Sequence, residues 1–363
     1  MKVLLVSNMY PDANNPSYGV FVKKFADELD KMNIQWNKAV MFKKDGKIRK
    51  VCEYVKFYSK AFFQAIFGKY DVIYIHYASH SSAPILAASI FRRLRIYTNV
   101  HGSDIVPENN VQKYMQRYTK RILKKSEKII IPSQYFKDYV KEKYGVKEST
   151  FYIYPSAGVD TKLFHQMSNE EIEKERKKLI DNTSTLIFGM AGRISAGKGW
   201  DVFIKAIRIA KDKGIKCKYV IVGSGPEENK MDELIEKYDL KEDIRRIKLL
   251  PQEELCKIYN AIDYFVFPTK REGESLGLVA LEAMSCGTPV IASNFAAPKY
   301  YIENDVNGYL FTVDDPFALA ERISFCTQNR PKMKEGVAQT AYRYSNDNIR
   351  QELVKIFDLE KLG

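Results

Sequence analysis

Short apolar segments recur along the first half of the chain, and each ends in polar or turn-forming residues. They cover residues 3–7, 71–75, 96–100 and 128–132. Between them lie stretches with apolar residues at helical spacing, at 20–29, 113–125 and 135–144. Nearly continuous apolar strands that alternate with helices are typical of parallel sheets covered by helices on both faces. This half therefore predicts a doubly wound α/β domain.

The same alternation begins again after a highly charged segment at residues 168–181, which predicts a solvated helix beside a domain junction. Apolar strand segments follow at 186–190, 218–222, 264–267 and 289–292, with helices expected from about Trp200, Glu227 and Gly277. We therefore predict two doubly wound domains, at residues 1–165 and 166–341, and a further helix from residue 342. In such sheets, ligands bind at the carboxyl ends of the strands.

The composition agrees with a two-domain globular protein of the cytoplasm. The chain has 363 residues, of which 45% are hydrophobic, and this length exceeds that of a typical single domain. Its five cysteines are far apart and include no CxxC pair, so reduced thiols are expected. The start of the chain shows no secretory pattern, and the apolar stretch at 83–91 is shorter than the roughly 20 residues that span a bilayer.

The positive charge is concentrated in the first half of the chain. Residues 1–180 contain 32 Lys and Arg against 18 Asp and Glu, whereas residues 181–363 contain 26 against 27. No zinc-finger, RNP or basic-helix pattern accompanies this charge, so we expect no nucleic-acid partner. Peripheral association with an anionic membrane and an ordinary solvated basic surface remain alternative explanations.

The segment from Glu274 to Glu282 is the strongest candidate for a binding site. Gly277 precedes a run that fits a helix, and free backbone N–H groups at a helix start favour an anion such as a diphosphate. Glu282 follows Glu274 by eight residues, about two helical turns, so both carboxylates are expected to point to one side and bracket a ligand. Two unrelated surface acids are the alternative.

This segment and its continuation Glu-Ala-Met-x-x-Gly-x-Pro-Val resemble the donor-binding signature of retaining GT-B glycosyltransferases, in particular glycosyltransferase family 4. The resemblance implies a fold of two Rossmann-like domains facing a cleft, with the helix at 342–363 packed back on the first. It places Glu274 beside the donor sugar and Glu282 at the ribose. Backbone amides around Ser275, Leu276 and Gly277 would face the sugar and diphosphate. Leu276 replaces a common aromatic residue, which is expected to alter how the sugar packs.

The segment at 192–199 resembles the Gly-Arg…Lys-Gly element of the same family. By that resemblance Arg193 and Lys198 contact the donor diphosphate. The chemistry agrees, because a departing nucleoside diphosphate gains negative charge that fixed cations neutralise without a metal ion.

The first half also carries family-like segments. His101-Gly-Ser-Asp104 follows a predicted strand and resembles a segment whose His reaches the donor sugar. Gly19 matches a glycine that lets the backbone approach the phosphates. Ala157 replaces the usual Asn of an Asn-Gly-Val-Asp segment, so Asp160 is expected to be a structural anchor.

Other signals indicate neither a dinucleotide enzyme nor a metal enzyme. The Gly-Ser-Gly-Pro turn at 223–226 has Glu228 where the dinucleotide fingerprint requires a third glycine. His76 and His80 have i, i+4 spacing, but His76 ends a predicted strand, so a metal pair is not expected. No DxD-like element occurs, and Asp314-Asp315 is predicted to form a turn. We therefore expect no catalytic metal and no cofactor.

The predicted function is transfer of a glycosyl unit from a UDP- or GDP-sugar to a hydroxyl of a saccharide acceptor, with retention of anomeric configuration. A lipid-linked acceptor in capsule or O-antigen synthesis, at the inner face of the membrane, is the expected context. Retention by same-face displacement or through a covalent step is left open. The alternatives are a GT-B nucleotide-sugar epimerase and a non-catalytic nucleotide-binding scaffold.

Overall fold

The computed structural model describes residues 1–16, 18–155, 158–182 and 184–359. The chain divides into two compact units, each built on its own hydrophobic core. The first comprises the described residues of Met1–Ala157 and Ile349–Gly363, and the second those of Gly158–Asn348. No helix among the described residues is long and apolar enough to cross a membrane.

The first unit contains a six-stranded parallel sheet with the strand order β2-β1-β3-β4-β5-β6. Its strands are β1 (Lys2–Tyr10), β2 (Gln35–Phe42), β3 (Val72–His76), β4 (Ile96–Asn99), β5 (Lys128–Ile131) and β6 (Phe151–Ile153). Its helices are α1 (Val20–Lys31), α2 (Lys47–Phe67), α3 (Ala78–Phe91), α4 (Asn110–Lys125) and α5 (Gln134–Tyr144). The strand order reverses between β1 and β3, which is where such a sheet opens a crevice at its carboxyl edge.

The second unit repeats the architecture with the strand order β12-β11-β10-β7-β8-β9, again all parallel. Its strands are β7 (Ile187–Ala191), β8 (Lys218–Val222), β9 (Ile244–Ile247), β10 (Tyr264–Phe267), β11 (Val290–Ser293) and β12 (Gly308–Phe311). Its helices are α6 (Asn169–Leu179), α7 (Trp200–Asp212), α8 (Glu228–Lys237), α9 (Gln252–Ala261), α10 (Leu278–Ser285), α11 (Pro316–Asn329) and α12 (Lys334–Arg343). Here the order reverses between β7 and β10.

The two-domain α/β prediction is confirmed, and all eight predicted strands are present within one or a few residues of their predicted bounds. The four strands that the apolar pattern missed are β2, β6, β9 and β12, which are the edge strands of the two sheets. An edge strand is solvated along one side and needs a weaker apolar pattern. In β9, for example, two arginines separate the flanking isoleucines.

The predicted domain boundary and the predicted C-terminal helix both need correction. The second unit begins at residue 158 rather than 166, because Val159 pairs by backbone hydrogen bonds with Tyr344 and Asn346 of the same unit. The segment from 342 is not one helix: α12 ends at Arg343, and a new helix, α13, covers Asn346–Ile356. Tyr344 and Ser345 separate the two helices, and the Ser345 hydroxyl accepts a hydrogen bond from the Asn348 N–H. Residues 360–363 lie outside the described residues.

From Ile349 onward the last helix belongs to the first unit, where charged groups help to hold it. Arg350 of α13 donates to the carboxylate of Glu28, and Lys128 Nζ donates to the Ile356 carbonyl at 2.8 Å. Phe357 is fully buried beside Phe25. These contacts hold α13 and Phe357 to the core of the first unit.

Candidate functional site

Two loops meet at the point where the strand order of the second unit reverses. One follows β7 and contains Arg193 and Lys198, and the other follows β10 and contains Glu274. The backbone N–H of Lys270 donates to the Gly197 carbonyl at 2.8 Å, and Thr269 Oγ1 donates to the same oxygen at 3.4 Å. The two loops are therefore fixed to each other at the carboxyl edge of the sheet.

Lys198 and Glu274 form an ion pair across these loops. Lys198 Nζ lies 2.6 Å from Glu274 Oε2, and their side chains are only 22% and 11% exposed. Thr269 Oγ1 also lies 3.4 Å from the same carboxylate oxygen, so its single proton is shared between Glu274 and the Gly197 carbonyl. The sequence predicted both residues at one site, and the structure brings them together.

The approach of the loops depends on Gly199, the residue before α7. Its φ of 77° is left-handed, and an added Cβ would lie 1.7 Å from the Pro268 carbonyl oxygen. Only glycine satisfies both conditions. This position keeps the first turn of α7 directly beside the end of β10.

Gly277 has the same role before α10. Its φ is 80°, and a Cβ there would lie 2.6 Å from the ring of Phe267. Tyr301 Oη donates to the Leu276 carbonyl at 3.0 Å and holds the preceding residue. The Leu276 side chain is 1% exposed and belongs to the core of the second unit, and its expected effect on sugar packing stays a prediction. Only its backbone, with that of Ser275 and Gly277, is placed at the helix start.

The two helices at this edge begin without a side-chain cap. In contrast, Ser168 caps α6 and Asp315 caps α11, each by accepting backbone N–H hydrogen bonds. Gly199 and Gly277 offer no such acceptor. No cap side chain therefore occupies the first N–H groups of α7 and α10, and a helix N-terminus favours an anion.

Glu282 is held by a residue that the motif did not indicate. Tyr259 Oη lies 3.4 Å from Glu282 Oε2, and burial raises the pKa of Tyr259 well above its usual value, so the phenol is the donor. The predicted two-turn spacing from Glu274 is wrong, because α10 begins only at Leu278 and residues 274–277 are not helical. Glu282 therefore lies about one turn into the helix. Tyr259 on α9 lies 23 residues away in sequence, beyond the reach of the motif.

Arg193 is exposed, and within the described ranges no hydrogen bond or ion pair engages its side chain. Its backbone neighbours are fixed, since the Gly192 N–H donates to the Val222 carbonyl and the Ile194 N–H to the Ser224 carbonyl. The turn at 223–226, which begins like a dinucleotide fingerprint, supports this loop through its backbone. The Arg193 guanidinium is thus a cation on a rigid loop.

In the first unit, His101 follows β4 in a turn organised by Asp104. The Asp104 carboxylate is fully buried and accepts backbone N–H hydrogen bonds from His101, Gly102 and Ala78 at 2.8–3.0 Å. Burial raises the pKa of Asp104. This aspartate therefore sets the backbone of the His-Gly-Ser-Asp segment.

The side chain of His101 pairs with His76 at the end of the adjacent strand β3. His76 Nδ1 lies 2.9 Å from His101 Nε2, and Phe21 packs against the His101 ring. Burial lowers the pKa of His101 to about 3 and that of His76 well below its usual value, so both rings are neutral. The i, i+4 spacing raised His80 as a possible partner of His76, but the His80 ring is hydrogen-bonded to Ser79. The partner of His76 follows from strand adjacency instead.

The remaining predicted positions have structural explanations of their own. A Cβ at Gly19 would lie 2.7 Å from the Met9 backbone, so the glycine allows α1 to start against the end of β1. Asp160 Oδ1 accepts from the Lys162 N–H, whereas Ala157 lies outside the described residues. Asp314 pairs with Lys270, and Asp315 caps α11. Within the described ranges, no group of three or more His, Cys, Asp and Glu side chains is placed as metal ligands.

Comparisons with known proteins agree with this architecture. HepE of Anabaena, solved in complex with UDP, superposes with a TM-score of 0.76 over 99% of this chain and 100% of its own, at 18% identity. This likeness shows the GT-B fold.

Among curated relatives, D-inositol 3-phosphate glycosyltransferase of Corynebacterium urealyticum is 31% identical over 210 residues, which is 55% of this chain and 49% of that protein. Capsular polysaccharide biosynthesis glycosyltransferase CapM of Staphylococcus aureus is 28% identical over 208 residues, 56% of this chain and 53% of CapM. The match thus spans about half the length of these relatives.

Two family models match consecutive parts of the chain. Glycosyltransferase Family 4 matches residues 23–163, and Glycosyl transferases group 1 matches residues 171–344. The first model falls largely on the first unit, and the second falls within the second unit, over the loops with Lys198 and Glu274. The chain belongs to the glycosyl transferases group 1, glycosyltransferase family 4.

Proposed function

We propose that this protein transfers a sugar from a nucleotide-sugar, with UDP or GDP as the nucleotide, to a hydroxyl of a saccharide acceptor. One observation carries the proposal: the Lys198–Glu274 pair lies at the strand-order reversal of the second unit, beside two uncapped helix N-termini. Such an edge is where doubly wound sheets bind nucleotides. The membership of the chain in a glycosyltransferase family supports the same reaction.

The proposed roles follow the chemistry of a leaving diphosphate. Arg193, Lys198 and the backbone N–H groups at Leu276 and Gly277 stabilise its growing negative charge, and the Gly19 loop admits it closely. Fixed cations and helix termini can supply this stabilisation, so we propose that no metal ion is required.

The donor sugar and the ribose are assigned to other side chains. We propose that His101, Glu274 and Ser275 contact the sugar, with His101 and Glu274 nearest the reacting carbon. Glu282, held by Tyr259, accepts hydrogen bonds from the ribose hydroxyls. An ionised carboxylate forms charge-assisted hydrogen bonds, which are stronger than neutral ones.

The acceptor is proposed to be a lipid-linked saccharide of a surface polysaccharide, and the product to retain the anomeric configuration of the donor. CapM is named for capsular polysaccharide biosynthesis, which supports this acceptor class. The net charge of +14 on residues 1–180 supports work in the cytoplasm at the inner face of an anionic membrane.

The test is an assay of purified protein against UDP-, GDP- and ADP-sugars, with and without a lipid-linked saccharide. We expect release of nucleoside diphosphate that depends on the acceptor, persists in EDTA and gives an α-linked product from an α-configured donor. Conversion of the donor to its epimer without acceptor would instead establish the epimerase. Binding without turnover would establish a nucleotide-binding scaffold.

A further inference from the structure

Helix α2 presents an apolar face to solvent. Phe57, Ala61 and Ala65 fill its inner face, in the core of the first unit. On its other faces, large apolar side chains are exposed: Ile48 (80%), Val51 (61%), Val55 (61%), Phe63 (55%) and Phe67 (75%). A surface helix normally turns polar residues outward, so this face is built for a partner.

The apolar face continues onto the end of α3 through a chain of aromatic rings. Phe67 and Phe63 have ring centroids 6.2 Å apart, Phe63 and Phe62 5.4 Å, and Phe62 and Phe91 6.1 Å. Phe91 and Ile90 are themselves more than 70% exposed. We call this the α2–α3 surface, made of Ile48, Val51, Val55, Phe63, Phe67, Ile90 and Phe91. The phenylalanine rings connect the two helices within this surface, and exposed apolar side chains gathered in this way mark an interaction site.

The charges around the α2–α3 surface are almost all positive. Helix α2 contains five basic residues, Lys47, Arg49, Lys50, Lys56 and Lys60, and Glu53 as its only acid. Beside Phe91, a hollow of about 400 Å³ is lined by Arg92, Arg93 and Lys125. Among the residues that the structure describes, none of the basic side chains of α2 forms an ion pair. Their charge is therefore available to an anionic partner.

We propose that the α2–α3 surface docks on an anionic lipid bilayer, with the apolar side chains in the headgroup region and the lysines and arginines at the lipid phosphates. A helix with apolar and basic side chains together on its exposed side fits this interface. A second copy of the chain fits poorly, because symmetric pairing of the surface would bring two sets of like charges together. This inference rests on the membrane association included in the proposed function. The charge distribution along the sequence did not say which surface of the protein contacts the membrane.

The test is sedimentation of the full-length protein with vesicles of phosphatidylcholine, alone or with 30% phosphatidylglycerol. We expect binding to the anionic vesicles that weakens with added salt. The double variant V55S/F63S removes apolar area, and K56E/K60E reverses two charges. Each is expected to lower the partition coefficient at least tenfold, since one basic residue near such a surface contributes about fivefold.

Leu249→Ser with Phe317→Ser is the matched control, because these side chains are 82% and 65% exposed on the second unit. It should bind vesicles as the wild type does. Equal binding by the α2 variants would overturn the surface while leaving membrane association intact, and absence of wild-type binding would overturn both. Loss of a wild-type dimer in V55S/F63S, seen by light scattering with vesicle binding unchanged, would assign the surface to self-association instead. Retained UDP binding in both α2 variants separates this result from any failure of the transfer reaction.

Discussion

Lys198 Nζ and Glu274 Oε2 are 2.6 Å apart, although they lie in different loops and 76 residues separate them in sequence. The pair neutralises both charges before any ligand binds. A diphosphate that approaches Lys198 therefore meets a cation already held in place by a carboxylate, and the same contact keeps Glu274 in position. The two proposed functions, at the diphosphate and at the sugar, are linked through one hydrogen-bonded ion pair.

The first prediction is that Lys198 and Glu274 are coupled in stability. Lys198→Met leaves a largely buried carboxylate without its cation, so we expect a loss of about 1–3 kcal/mol in the free energy of unfolding. Lys198→Met combined with Glu274→Gln removes both charges and should recover most of that loss. Urea denaturation of the wild type, both single variants and the double variant measures the coupling.

Additive effects of the two substitutions would show that the pair does not act as a unit. Arg193→Ala is the control, because the side chain is exposed and should leave stability unchanged within about 0.5 kcal/mol. Substitution of Arg193, Lys198 or Glu274 should in each case lower transfer activity. Loss of activity without loss of stability in Arg193→Ala would separate the proposed role at the diphosphate from a role in folding.

The second prediction concerns Gly199. An alanine there would need a left-handed φ and would place its Cβ 1.7 Å from the Pro268 carbonyl oxygen. Since backbone must move to relieve that overlap, we expect Gly199→Ala to destabilise the protein by more than about 3 kcal/mol or to prevent folding.

Gly214→Ala is the matched control for Gly199→Ala. Gly214 has a similar φ of 72° but no atom within 4 Å of the added Cβ, so only the conformational cost of roughly 1 kcal/mol applies. Comparable melting temperatures for the two variants would show that the contact with Pro268 is unimportant.

The third prediction is that Glu282 acts on the nucleotide and not on stability. Glu282→Gln removes the ionised acceptor while keeping its shape, and we expect UDP affinity to fall about tenfold or more, as loss of a charge-assisted hydrogen bond implies. Tyr259→Phe removes only the hydroxyl group that holds Glu282 and should lower UDP affinity less. Isothermal titration calorimetry with UDP measures both, and equal affinity in Glu282→Gln and the wild type would remove Glu282 from the ribose site.

Sequence reasoning worked where a structural requirement is local. Gly199 and Gly277 are recognisable because each lies between an apolar strand and a helix, and the structure finds a left-handed residue at each. Edge strands such as β9 were not predicted, because solvation along one side weakens their apolar pattern.

Side-chain partners were beyond the sequence where they join distant elements. Nothing in the motif of Glu282 indicates Tyr259, since the contact depends on how α9 packs beside α10. The exposed face of α2 was likewise hidden, because residues 47–67 contain enough apolar positions for both an inner and an outer face. Only packing decides which of them the core covers.

The last prediction uses the neutral His76–His101 pair. A buried N–H without a partner costs more than a buried acceptor without one, and His76 Nε2 is buried and unpaired. The favoured arrangement is therefore His76 Nδ1–H donating to His101 Nε2, which leaves His101 with Nδ1–H as a donor. His76→Gln should preserve a donor at this position and retain more transfer activity than His76→Phe, which removes it.

The pair also predicts a pH dependence of stability. Because the pKa of His101 is about 3 in the folded protein and about 6.5 when unfolded, the unfolded state binds more protons between these values. Stability should be fully present above pH 6.5 and fall as the pH drops, by up to about 1.4 kcal/mol per pH unit for each buried histidine. The raised pKa of Asp104 acts in the opposite sense, because the folded state retains a proton on this carboxyl that the unfolded state releases. Urea unfolding from pH 7 to pH 5 should give a shallower slope for His76→Gln, and a slope equal to the wild type would mean that His76 does not stay neutral in the folded protein.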